Sequence, residues 1–260
     1  MYESKDQSGL MRPEQLSLAG QRALVTGGAT RIGREICLTL ARAGASVAVH
    51  YRSSAREAAE VVADIDRMGG QAVMLPADLN GESACRDLIR AAADHLDGLS
   101  ILVNNASVFT RETLGELTEA SMAREFWPNL FAPMLLSRYF ADEKPESGVI
   151  INLLDRRILA NDARFFAYSL AKKGLADFTR LAAVALAPSI KVHGIAPGPI
   201  LPPPGEDEAY LKVKGGKRLL EDRLDPAAIA GALMALLGLR GATGQILYID
   251  AGQHLLGNDV

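Results

Sequence analysis

The stretch "LVTGGATRIGREICLTLARAG" (residues 24–44) joins a short apolar run to an amphipathic one across a glycine-rich turn. Gly27, Gly28 and Gly33 permit a tight turn and close approach of a ligand to the backbone. The apolar residues that follow recur at helical spacing, so a helix is expected from near Ile32 or Gly33. A strand that ends on such a turn and opens a helix offers unpaired N–H groups and a positive helix end to a pyrophosphate. A glycine pattern alone is weak; this one carries weight because the strand and helix flank it.

The same alternation continues outward along the chain. Residues 22–26, 46–50, 71–75, 100–104, 148–153, 191–195 and 246–250 are β-branched and apolar, and read as strands. Residues 33–43, 55–68 and 83–95 between them have helical periodicity. Strands apolar almost throughout, each followed by a helix, imply a seven-stranded parallel sheet covered on both faces, a doubly wound α/β fold in a single domain. With no internal repeat or dividing linker, residues 19–260 are expected to form that domain, with residues 1–18 a flexible polar tail.

Composition excludes several classes. Of 260 residues, 48% are hydrophobic, enough for a real core, and the formal charge of −3 lends no support to nucleic-acid or membrane-surface binding. No apolar run approaches a membrane span, and the N-terminus lacks a signal-peptide core, so a cytoplasmic protein is expected. Cys37 and Cys85 read as buried thiols, and His50, His95, His193 and His254 show no metal-ligand spacing.

Two segments interrupt the rhythm. Five prolines between Pro197 and Pro204 exclude regular structure there, and residues 196–222 read as an extended loop where a lid over a ligand would lie. Lys212, Lys214, Lys217 and Arg218 in it could meet an acidic tail, or form a solvated helix face. Pro128, in "WPNLFAP", is expected to break or kink its helix.

The second strand runs into "HYRSSAR" (residues 50–56) with no acid to hold a ribose 2′-hydroxyl. Arg52 can grip a 2′-phosphate and Ser53 and Ser54 can donate to it, which favours NADPH over NADH. Asp78 follows the third strand near an adenine position, and Asn104, Asn105 and Ala106 end the fourth. Tyr168 and Lys172, four residues apart, share a helix face, and Asp155 lies thirteen residues before the tyrosine at the end of an apolar run. The ammonium is expected to favour the phenolate and lower the phenol's pKa.

Together these residues resemble the short-chain dehydrogenase/reductase family over nearly the whole chain, from "RALVTGG" to "TGQILYIDAGQ". The Thr26/Gly27 turn, "NNA" at 104–106, "YSLAK" at 168–172, "PGPI" at 197–200 and Asn129 carry the likeness. Arg31 stands where the family's TGxxxGxG turn has glycine, and Asp155 where it has a catalytic serine. Both departures resemble the pteridine reductase branch, as do Ser107, Phe109 and "VHYRSSA" (residues 49–55).

The resemblance implies a Rossmann fold, a homotetramer and catalytic roles for Asp155, Tyr168, Lys172 and Asn129. It implies NADPH contacts from Thr26, Gly27, Arg31, Ile32, Gly33, His50, Tyr51, Arg52, Ser53, Asp78 and Leu79. Asn105, Ala106, Ser107, Lys172, Pro197, Gly198 and Ile200 complete that set. A pterin would then meet Arg31, Ser107, Phe109, Asp155 and Tyr168. An ionised aspartate cannot donate to a substrate oxygen and repels a developing alkoxide, whereas a C=N nitrogen must gain a proton that Asp155, protonated or through a water, could feed with Tyr168. The competing expectations are a carbonyl or alcohol oxidoreductase of the same family and, from another class, a non-catalytic NADPH sensor.

Overall fold

The computed structural model describes residues 16–202, 209, 211, 215–221 and 224–256. Seven strands, β1 (Arg22–Val25), β2 (Ser46–Tyr51), β3 (Ala72–Pro76), β4 (Ile101–Asn104), β5 (Gly148–Leu153), β6 (Ile190–Pro197) and β7 (Ile246–Ile249), form one sheet in the order β3-β2-β1-β4-β5-β6-β7. Every pairing is parallel. Successive side chains of a strand face opposite ways, and both faces here are buried. Val25, Val49, Val103 and Ile151 pack with helices α1 (Arg31–Arg42), α2 (Ala55–Arg67) and α7 (Pro226–Gly238). Leu24, Ala48, Leu102 and Ile150 pack on the other face with α3 (Glu82–Leu96), α5 (Ala132–Asp142) and α6 (Phe166–Ala185).

The packing follows from helix periodicity. On α1, Ile36, Cys37 and Leu40 fall on one stripe and are fully buried, while the opposite stripe carries Arg34, Glu35 and Arg42. Truncating Leu40 to alanine would cost about 2–5 kcal/mol, the transfer loss plus the cavity.

The order reverses between β1 and β4, so the connections that leave their carboxyl ends run to opposite faces of the sheet and open a crevice there. Thr26, Asn105 and Leu153 are brought to its rim.

Three sequence expectations change in detail. Strand and helix limits shift by a residue or two, most at β6, which extends three residues further, from Ile195 to Pro197 and back to Ile190. Pro128 does not break the helical path: α4 (Glu119–Phe126) continues into α5 through one π-helical turn, Trp127–Phe131. The wider turn accommodates a ring that lacks an N–H and crowds the preceding carbonyl. The expected tail reaches too far, because Leu18 is buried and its amide donates to Ala43 O at 2.7 Å. The tail before residue 16, and Lys212 and Lys214 of the loop, lie outside the described residues.

Candidate active site

The crevice begins at the β1–α1 turn. Gly27 has φ of 62°, a left-handed conformation that suits glycine. Thr26 Oγ1 accepts from the amides of Asn105 (2.9 Å) and Ala106 (3.0 Å), while Asn105 Nδ2 donates to the Thr26 and Gly27 carbonyls at 2.8 and 3.0 Å. These bonds tie the ends of β1 and β4 together. A Cβ at Gly33 would collide with the Gly27 carbonyl and the Asn105 carboxamide, and one at Gly28 would meet Cys37 Sγ at 2.8 Å. No side chain caps the start of α1, so its first N–H groups remain open to an anion.

His50 braces the turn. Its Nδ1 accepts from Gly27 N at 3.1 Å, and its Nε2 faces Ala77 O at 3.1 Å, which fixes the proton on Nε2. Burial pulls its pKa down to about 4, against partial opposition from the Ala77 carbonyl and Asp78, so the ring is neutral. Both ring nitrogens are thus paired within the protein, and His50 is among the residues that line the groove. The groove runs past Gly27, Thr30, Tyr51, Arg52, Ser53, Ser54, Asp78, Leu79, Ala106 and Ser107. Arg52 is exposed there and has no hydrogen-bond or ion-pair partner among the described residues. An open helix end, a turn with no room for side chains and a free guanidinium beside two serines fit a phosphorylated dinucleotide.

Beyond the groove, β5 and α6 deliver a second cluster. Asp155 leaves β5 on an extended residue that caps the 3₁₀ turn Arg156–Leu159, with Oδ1 accepting from Arg157 N at 2.8 Å. Its Oδ2 accepts from the Tyr168 hydroxyl at 2.9 Å and from Arg157 Nη1 at 3.2 Å. Tyr168, Lys172 and Asn129 are buried at 6%, 3% and 0% exposure. Lys172 Nζ donates to Leu153 O at 2.7 Å and lies 5.8 Å from the Tyr168 ring centroid.

The expected electrostatics reverse here. Burial, and then the charge of Asp155, push the Tyr168 phenol well above its ordinary pKa rather than below it. Burial pulls the Lys172 ammonium down to about 8, with Asp155 and Glu125 partly opposing. Lys172 turns its proton donor to a carbonyl and so does not stabilise a phenolate in this state.

Asn129 sits in the π turn. Its Nδ2 donates to Val108 O and Glu125 O, both at 2.9 Å, and its Oδ1 accepts from Ser107 Oγ at 2.7 Å. This bond places Ser107 between the groove and the buried cluster. Phe109 stacks on Phe165 at 4.3 Å and 13°, meets Tyr168 edge to face at 4.7 Å, and remains 46% exposed.

Most residues singled out in the sequence come together, with exceptions at the loop side. Arg31, at φ 54°, sends its Nη2 to Pro202 O at 2.9 Å and makes no hydrogen bond or ion pair with the Asp155 cluster among the described residues. Ile32 and Ile200 pack in or against the core, and Gly198 N is paired with Ile249 O, its missing Cβ making room for Asp250. Pro197 ends β6 in register with Ile249. Four neighbours were missed: Arg157, Asp162, Phe165 and the fully buried Glu125. Phe165 had a visible signal, an aromatic three residues before Tyr168, though it stands at the N-cap of α6 and not within the helix.

Comparison with known proteins accords with this geometry. The family model "short chain dehydrogenase" matches residues 21–209. FolM alternative dihydrofolate reductase 1 from Brucella suis, solved in complex with NADP, is 36% identical, with a TM-score of 0.86 over 92% of this chain and 96% of its own. A short chain dehydrogenase from Burkholderia cenocepacia, also solved with NADP, is 31% identical, with a TM-score of 0.85 over 91% and 98%. Among curated proteins, glucose and ribitol dehydrogenase homolog 2 of Arabidopsis thaliana is 29% identical over 90% of this chain and 86% of its own. The chain therefore belongs to the short-chain dehydrogenase/reductase family and is an NADP-dependent oxidoreductase.

Proposed function

We propose that the protein is a pteridine reductase that acts on a dihydropterin (dihydromonapterin or dihydrobiopterin) or on dihydrofolate. The reading rests above all on the 2.9 Å hydrogen bond from Tyr168 to Asp155 at the position where the family has serine, beside the half-exposed ring of Phe109. Likeness to a FolM alternative dihydrofolate reductase supports it.

When bound, NADPH supplies the hydride and leaves as NADP+. The cradle of Thr26, Gly27, Gly33, Asn105 and Ala106 would hold its pyrophosphate side, and Arg52 with Ser53 its 2′-phosphate. Phe109 presents an aromatic face for a flat heterocycle, a contact worth about 0.5–1.5 kcal/mol beyond burial. As the substrate carbon gains hydride, the C=N π pair takes the proton from the Tyr168 hydroxyl and becomes an N–H bond. Lys172, with its proton loosened by burial, then reprotonates the phenolate and is itself reprotonated from solvent. Ser107 and Asn129 align the groove with the buried pair. The segment that follows β6 is read as the substrate loop of the one domain, and the enzyme as a cytoplasmic homotetramer.

A carbonyl or alcohol oxidoreductase is the second reading, favoured by relatives such as the Arabidopsis glucose and ribitol dehydrogenase homolog. Against it, a carboxylate that already accepts from three donors has no proton to offer a carbonyl oxygen. NADPH oxidation by the purified protein with dihydropterins and dihydrofolate, beside a panel of aldehydes and ketones, separates the two. Fast pterin turnover that collapses in Asp155→Ala is expected; ketone reduction indifferent to Asp155, with no pterin turnover, would sink the pteridine reading.

A further inference from the structure

Arg157 belongs to no motif, yet several contacts converge on it. It donates to both oxygens of Asp155, through its backbone N at 2.8 Å and Nη1 at 3.2 Å, and its Nε reaches Asp162 Oδ2 at 3.4 Å. Its Cζ lies 5.2 Å from the Phe109 centroid and 5.1 Å from that of Phe165. Because those rings stack on each other, a guanidinium equidistant from both sits beside their seam. One side chain, 20% exposed, thereby joins the aromatic wall to the aspartate.

The donors around Asp155 decide its chemistry. Tyr168 and two Arg157 groups donate to its two oxygens, so that both serve as acceptors and one acceptor site on Oδ1 stays open. Arg156 on the same turn and Lys172 from α6 add positive charge, while Asp162 faces Arg157 and Asp250 faces Arg156. Glu125 of α4 acts on Tyr168 and Lys172. Burial alone would lower the pKa of Arg157, but Asp155, Tyr168 and Asp162 raise it, so the clamp stays charged.

We propose that Arg157 is a positioning residue that clamps both oxygens of Asp155, so that Asp155 is the acceptor that holds the Tyr168 hydroxyl in place until it turns to the substrate. This rests on the proposed roles of Asp155 and Tyr168. It also narrows the ligand class: a fixed carboxylate beside an aromatic face selects a flat heterocycle with N–H donors over one whose oxygen gains negative charge.

The test is a double-mutant cycle of Arg157→Gln and Asp155→Asn, with Arg157→Lys alongside, read on dihydropterin reduction, NADPH affinity and melting temperature. Arg157→Gln should lower kcat by about tenfold to a hundredfold, the size of losing hydrogen bonds to a charged group, with NADPH affinity kept. Arg157→Lys should recover only part, since an ammonium cannot reproduce the planar fork. In the Asp155→Asn background Arg157→Gln should change kcat by less than about twofold, and the two melting-temperature losses should not add. The Arg157→Gln loss should fall on kcat with the pterin KM kept within about twofold, and the double variant should show no further loss. Additive losses in both readouts, or a loss confined to KM, would overturn the clamp. If the wild type turns over no pterin, the proposed function fails separately; the cycle is then read on a carbonyl substrate and on melting temperature, where additivity still refutes the clamp.

Discussion

Around Gly27 and Gly33 the site is a main-chain turn braced by neutral side chains: Thr26 Oγ1 accepts from the Asn105 and Ala106 amides, Asn105 Nδ2 donates to the Thr26 and Gly27 carbonyls, and the glycines leave no room for a Cβ. Beyond β5 it is made of side chains, with Asp155 bonded to Arg157 and to Tyr168, and buried Lys172 alongside on Leu153 O. The first region works by shape, so its failure mode is collision. The second works by charge at low dielectric, where one lost partner leaves another unpaired and costly. Substitutions should therefore divide cleanly between cofactor binding and turnover.

The largest effect is expected from Tyr168→Phe, which removes the proposed proton donor. Turnover should fall by about 10²–10⁴ with NADPH affinity unchanged, measured by single-turnover kinetics and fluorescence titration. Loss of NADPH affinity as well would break the division between the regions. Gly33→Ala should act on the other side, with overpacking against Gly27 and Asn105 costing about 1–3 kcal/mol of stability and weakening NADPH binding. Thermal melts with and without cofactor check this.

His50 supplies a pH signature confined to the cradle. Its folded pKa of about 4 lies below the ordinary imidazole value of 6.5, so between them the unfolded chain binds a proton that the folded one refuses. Stability should thus fall as pH drops through that interval, by a few kcal/mol at most. Replacing His50 with Asn should flatten this slope in melts taken across the range. Arg52→Ala should reduce the preference for NADPH over NADH by about tenfold, as expected for loss of a charge-assisted phosphate contact. Phe109→Ala should be mildest, raising the pterin KM by the equivalent of about 0.5–1.5 kcal/mol plus lost burial and leaving kcat nearly intact.

The two regions also differ in how readable they were. The cradle was legible because local rules specify it: a strand, three glycines and a helix start lie within one short stretch. The parallel sheet followed from strands that are apolar on both faces. The Asp155–Tyr168 contact was legible only through family spacing, since nothing local brings residues thirteen apart to 2.9 Å. Arg157 was not legible: its role depends on a 3₁₀ turn that folds it back onto Asp155 and on rings arriving from two other segments. The reversal of the tyrosine electrostatics has the same origin, because the four-residue spacing set Lys172 near Tyr168 but could not show its Nζ bonded to Leu153. At Pro128 a sound local rule gave way to a π turn, a rearrangement that the residue pattern does not announce.

The central claim is that an aspartate in the serine position makes this family member a reductase of C=N rather than C=O. The most direct measurement is kcat/KM of wild type and Asp155→Ser on a dihydropterin and on an aldehyde or ketone, with NADPH saturating. Pterin reduction that falls while carbonyl reduction rises in the serine variant is the result predicted here. Pterin reduction that survives the exchange, or carbonyl reduction that is already dominant in the wild type, would contradict it.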